Sequence, residues 1–162
     1  MDMEAAMKRI PPHSAEAEQA VLGAMLMNKE AITVASEILS GDDFYQTAYG
    51  ILFNSMVELF HAGKPVDLIT LQEYLKEKDV PPEISSMEFA RDLLMGTQTS
   101  ANIKSYAEIV REKSIMRRLI KVNEETANAC YLQNQPLEEI LEDAPSCCSR
   151  SPTRHVLQRS PK

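Results

Sequence analysis

The stretch from Ser100 to Gln133 contains no glycine and no proline, and it constrains the chain more than any other feature. Apolar residues recur along it at helical spacing: Ile103, Tyr106, Ala107, Val110, Met116, Leu119, Ile120, Ala127, Cys130 and Tyr131. Ser100 is placed to cap the first turn. A helix of about 33 residues would run about 50 Å, against a mean globular helix of about 11–12 residues. A chain of 162 residues is too small to cover such a stripe over its whole length. The sequence therefore predicts a long helix whose bare end needs a partner helix.

The remaining elements read as shorter helices. Ser14 caps the first, with Glu16 and Glu18 in the turn where negative charge is favoured. Its middle, Ala20 to Met27, is apolar on every side, which predicts a helix buried all round, and Gly23 and Ala24 allow close neighbours. A second helix is expected from Lys29 to Leu39, ended by Gly41. A third, capped by Asp42 or Asp43, is expected from Phe44 to His61, with Gly63 as a left-handed stop. A capping box Thr70–Glu73 marks a fourth helix running to about Lys78, and Ser85–Glu88 a fifth ending near Gly96. After a turn at Asn134–Pro136, Leu137 to Ala144 begins the second arm of a helical hairpin, which Pro145 cuts short.

The expected fold is all-α: a helical globule of about five helices, then a long-helix hairpin with a shortened second arm. The divisions expected are a flexible arm over 1–13, the globule over 14–98, the hairpin over 99–144 and a disordered tail over 145–162. That tail is basic and breaks abruptly from what precedes it, as a truncated or frame-altered end would.

Charge narrows the function. The net charge is −7, but residues 145–162 carry Arg150, Arg154, Arg159 and Lys162 and no acid, which leaves −11 on residues 1–144. A body this acidic does not attract phosphates through its overall field, so protein partners are expected. None of the glycines (23, 41, 50, 63, 96) has the company that a phosphate-cradling loop requires. His13, His61 and His155 are too scattered for a metal site. The three cysteines (Cys130, Cys147, Cys148) make no disulfide or zinc framework and suit a cytoplasmic protein. Carboxylate pairs such as Asp42–Asp43 and Glu124–Glu125 read as capping and solvated groups. No catalytic, cofactor-binding or metal-binding residue is expected, and the N-terminus lacks a signal-peptide core.

The long helix carries a basic row, Lys113, Arg117 and Lys121, at i, i+4 spacing, with Arg118 beside it. Nothing on the same helix is expected to relieve it, and the acids of the second arm should lie opposite residues 124–132. The candidate interface residues are accordingly Ile109, Met116, Arg117, Leu119, Ile120 and Lys121. The alternative use of this row, with the basic tail, is a stand-alone nucleic-acid binder.

The order of motifs resembles the N-terminal domain of DnaB-type bacterial replicative helicases. The resemblance rests on Arg9-Ile10-Pro11-Pro12-His13-Ser14 with Ala17 to Gly23, Asp43-Phe44-Tyr45 with Ile51-Leu52-Phe53, and Gly63 to Thr70. It is carried further by Thr99 to Ile103, Tyr106-Ala107, Ile109 to Lys113 and Arg118 to Ile120. It implies a helical globule and hairpin that pair between subunits into the collar of a hexamer. It also implies docking of the helicase-binding domain of primase and, in some lineages, of a loader. ATP and Mg would belong to a following RecA-like domain, and DNA would be met only through the full-length assembly. Tyr49-Gly50 departs from the family pattern of a histidine and a basic residue, so no role carries to it. On this view the chain is a fragment without ATPase or helicase activity, of a gene whose full product is an ATP-dependent 5'-3' helicase.

Overall fold

A computed structural model describes residues 10–97 and 99–144; the terminal stretches, with the expected tail and most of the expected arm, lie outside the described residues. Seven α-helices and one short 3-10 turn make up the regular structure among them, with no strand. They are α1 (Ala15–Met27), α2 (Lys29–Ile38), α3 (Thr47–His61), α4 (Leu68–Glu77), α5 (Met87–Met95), α6 (Ile103–Leu132) and α7 (Leu137–Asp143). The 3-10 turn is Gly41–Asp43, between α2 and α3. Contacts divide the chain after Ser114 into two compact units, so the globule reaches past residue 98 and takes in the first turns of α6.

In the first unit α1 packs against α2, α3 and α5, α3 against α2, α4 and the 3-10 turn, and α4 against α5. Val21, Leu22, Ala24 and Met25 of α1 are buried with Ile32, Leu52, Met56, Leu59, Leu71, Leu75 and Leu93 in one cluster. Ile103, Ala107 and Val110 of α6 complete it. Gly23 is required by this packing: a Cβ there would lie 1.7 Å from Thr97 Oγ1 and 2.9 Å from the Leu93 carbonyl at the end of α5. At Gly50 of α3 a Cβ would lie 2.4 Å from the backbone oxygen of Gly41, so the 3-10 turn can press on α3 only if residue 50 has no side chain.

The caps follow local chemistry, with four shifts from expectation. Ser14 caps α1 through Ala17 N–H as expected. Asn28 caps α2, and that helix stops at Ile38 when Leu39 turns extended, so Gly41 is not its end. Asp43 does not cap α3. It closes a capping box with Ser40 around the 3-10 turn, and α3 begins at Thr47, three residues later than Phe44. Asp67, not Thr70, caps α4, its Oδ1 accepting from Thr70 N–H at 2.8 Å; Glu73 pairs with Lys76 instead. Ser86 rather than Ser85 caps α5, accepting from Phe89 N–H at 3.2 Å. Each shift is of one to three residues, because several neighbouring Ser, Thr and Asp can cap and only packing selects one.

Gly63 stops α3 as expected, at φ +71°, with Gly63 N–H on Phe60 O and Lys64 N–H on Leu59 O closing the last turn. Residues 10–13 form no helix, but the His13 ring stacks on Tyr45 with centroids 4.1 Å apart, so this part of the arm is tied down. On the surface, Glu58 of α3 accepts from both Tyr74 Oη and Lys78 Nζ, and Lys78 lies over the Tyr74 ring. Lys78 and Tyr74 hold the Glu58 carboxyl below the usual carboxylate range, and Glu58 raises the Lys78 ammonium in turn.

Two outcomes follow. Gly50→Ala should lower stability in urea by about 1–3 kcal/mol, since the contact it meets is backbone and cannot swing away; an unchanged midpoint would contradict the close approach. The Thr70 amide holds the Asp67 carboxyl low. Its contribution is therefore present above the unfolded carboxylate pKa of about 3.9 and lost as pH falls through the lower folded value. Asp67→Asn should keep the cap at pH 7 and flatten the acid limb of the stability curve, whereas Asp67→Ala should cost about 1 kcal/mol at pH 7.

Candidate interaction surface

The polar groups that fix the first unit lie around the segment between α2 and α3. Glu18 of α1 is 1% exposed, and its Oε1 accepts from Tyr45 N–H at 2.8 Å. Gln46, the residue preceding α3, makes no side-chain cap. Glu18 therefore supplies from another helix the negative group that this N-terminal end favours. Its Oε2 is buried without a hydrogen-bond partner. Burial, and then the charge of Glu18, push the Tyr49 phenol above its ordinary pKa. On the other side of the segment, Asp43 is 6% exposed, and its Oδ2 accepts from Ser40 N–H at 2.8 Å and Ser40 Oγ at 3.2 Å. Its Oδ1 accepts from Ser114 Oγ at 2.7 Å, across 71 residues of sequence. Asp43 is thus a buried group that caps, as one part of the expectation for the pair Asp42–Asp43 had it, and it is not solvated, as the other part did.

The expected interface residues fall on both units. Ile109 belongs to the first, where it is partly exposed beside a groove of about 300 Å³ lined also by Ala17, Ala20, Gly96 and Tyr106. Met116, Arg117, Leu119, Ile120 and Lys121 belong to the second. Between Ile115 and Leu132 no residue of α6 is buried. Ile115, Met116, Leu119 and Ile120 are each 39–44% exposed, large apolar side chains left in part at the surface. Tyr131, Leu132, Leu137 and Leu141 are more exposed still. Ile140 of α7 is the one buried apolar residue of this unit among the described residues. It faces Val122, Thr126, Ala129 and Leu132 of α6 across a cavity of about 550 Å³. Sequence reasoning did not single out Leu137 and Leu141, although their i, i+4 spacing on the second arm was visible.

The basic row differs from expectation. Lys121 Nζ lies 3.9 Å from Glu125 Oε1 on the same helix, both well exposed, a pair that contributes little. Arg117 is half-buried and, like Arg118, already engaged in interactions of its own. The row is therefore relieved in part by α6 itself. Among the described residues no three His, Cys, Asp or Glu side chains gather as a metal site, and no helix is long and apolar enough to cross a membrane. His155, Cys147 and Cys148 lie outside the described residues.

Comparison with known proteins gives this arrangement a family. Residues 10–112 match the model of the DnaB-like helicase N terminal domain. The chain is 41% identical over 136 residues to the replicative DNA helicase DnaC of Bacillus subtilis, covering 84% of this chain and 30% of that protein. It is 40% identical to the replicative DNA helicase DnaB of Pasteurella multocida, covering 83% of this chain and 29% of that one. The chain thus spans about 30% of the length of these curated relatives. Among solved structures, the N-terminal domain of DnaB helicase from Mycobacterium tuberculosis is 30% identical with a TM-score of 0.78, covering 83% of this chain and 96% of that one. The N-terminal domain of DnaB helicase from Helicobacter pylori, described with its interactions with primase, shares the fold at a TM-score of 0.64 and 19% identity. It covers 81% of this chain and 99% of that one. By its helical order, its core and these matches, the chain belongs to the DnaB-like helicase N-terminal domain family.

Proposed function

We propose that this chain is an assembly and docking domain of a replicative helicase, without ATPase or unwinding activity of its own. The observation that carries this reading is the contrast between its two units. The first buries a full apolar core, whereas the second leaves Ile115, Met116, Leu119, Ile120, Leu137 and Leu141 uncovered. Burying one such side chain contributes about 1.5–3 kcal/mol, so a second copy laid against this unit would gain several times that before the costs of association. Met116, Leu119 and Ile120 are the central contacts, with Arg117 and Lys121 at their edge. Ile109 is a separate contact on the globule.

In this reading the hairpin pairs between copies, as in the collar of a hexameric ring. The finished collar presents a surface to the helicase-binding domain of a primase and, in some lineages, to a loader. ATP and Mg belong to the part of the relatives that this chain does not match, and DNA is met only through the complete assembly. The setting is the cytoplasm, in DNA replication. The acidity of residues 1–144 and the Lys121–Glu125 pair disfavour independent nucleic-acid binding.

Light scattering over a concentration series tests the reading. The 162-residue chain should form a dimer or larger species, and Leu119→Glu with Ile120→Glu should weaken association by at least about tenfold. Ile69→Glu, at an exposed position on α4, should leave association unchanged. A strict monomer at every concentration would sink the proposal, and so would DNA-stimulated ATP turnover by this chain.

A further inference from the structure

The methionines of this chain differ in what their oxidation would do. Met25 and Met56 are buried in the core of the first unit, where a dissolved oxidant does not reach the sulfur. Met27 and Met95 are exposed, at the C-terminal ends of α1 and α5, and belong to the first unit. Met116 is the one methionine in residues 115–162. Its side chain is 39% exposed, so an oxidant can reach it, and it sits among other large apolar side chains left in part at the surface. Leu119 and Ile120 follow it at i+3 and i+4, so the three share one face of α6. A thioether packs there as an apolar group, whereas its sulfoxide is polar and disrupts methionine-containing interfaces.

We propose that Met116 is an oxidation site that governs association of the second unit. The step is an oxygen-atom transfer from a peroxide. The O–O bond breaks, an S–O bond forms at the Met116 sulfur, and the sulfur is oxidised by two electrons. Hydrogen peroxide leaves as water. The product places a sulfoxide oxygen in the middle of the apolar stripe, where pairing with a second copy would bury it without a partner. In the associated state the same sulfur is covered, so association and oxidation oppose one another by mass action. A leucine at this position would give similar apolar contact without the reactivity. This inference rests on the association proposed above and adds its regulation.

Light scattering and peptide mass spectrometry on the full chain test it, with hydrogen peroxide as the oxidant. Dithiothreitol added afterwards reverses disulfides formed by Cys130, Cys147 and Cys148 and leaves methionine sulfoxide in place. Peroxide should weaken association by about tenfold or more. Met116→Leu should associate as the unmodified chain does and keep doing so after the treatment. Raising the protein concentration should slow oxidation of Met116 relative to that of Met95, which is 87% exposed. Undiminished association of a chain carrying Met116 sulfoxide would overturn the inference, and so would an oxidation rate at Met116 that ignores association. Loss of association in treated Met116→Leu would also overturn it, by assigning the effect to another residue. A chain that is monomeric before treatment at every concentration would instead remove the association itself, and this inference with it.

Discussion

Two buried carboxylates hold this domain in its arrangement, one on each side of the short segment between α2 and α3. Asp43 gathers Ser40 and Ser114, and Glu18 reaches from α1 to the amide of Tyr45. An unpaired buried charge is costly, so each acid is tolerable only where its donors are in place. That requirement gives the segment its position, and through it the start of α3 and the last buried turn of α6. The glycines then serve the same end. Gly50 lets the 3-10 turn reach α3, and Gly23 lets the end of α5 reach α1. Apolar burial supplies the bulk of the stability here, as in any globule, but it is not directional. The carboxylates and their donors are.

The two units differ in kind. In the first, nearly every large apolar side chain of α1 and α3 finds the common cluster. In the second, among the described residues, one isoleucine is buried and eight large apolar side chains are not. A helix pair with one buried residue gains too little burial to offset the entropy of ordering it. Within α6 the long run of backbone hydrogen bonds carries the helical structure on from the globule. Its exposed side chains resemble the inner face of an interface more than an ordinary surface. This is the physical ground for reading the unit as a place of assembly, and it agrees with membership of a helicase N-terminal domain family.

Much of this was legible beforehand, for reasons that differ from element to element. The length of α6 followed from the absence of any breaker between Ser100 and Gln133, and Gln133 ends it with φ at +50°. Gly63 was legible as a stop because few residues tolerate the conformation it adopts. The start of α6 was not: Ser100 to Asn102 form a turn, with Ile103 N–H on Ser100 O, and the helix opens two residues late. Sequence also offered Asp42 and Asp43 as equivalent caps of the third helix. Asp43 is distinguished by the donors it gathers from Ser40 and from Ser114, and the latter pairing, across 71 residues, leaves no local pattern. The step from Val110 to Ser114 does continue the buried row, but a serine there gives no apolar signal.

The amino-acid sequence by itself determined the all-helical class, the order of the elements, the lone long helix and the lack of a phosphate-cradling loop. These depend on local rules of breakers, caps and periodicity, which act within a few residues. The tertiary structure decided which caps are used, where the globule stops along α6, and that Glu18 and Asp43 are buried groups, each with a donor far away in sequence. It also decided that Arg117 and Lys121 are engaged within the protein while Ile115, Leu119 and Ile120 are not covered. Those outcomes depend on which surfaces meet in space, and no local pattern carries that information.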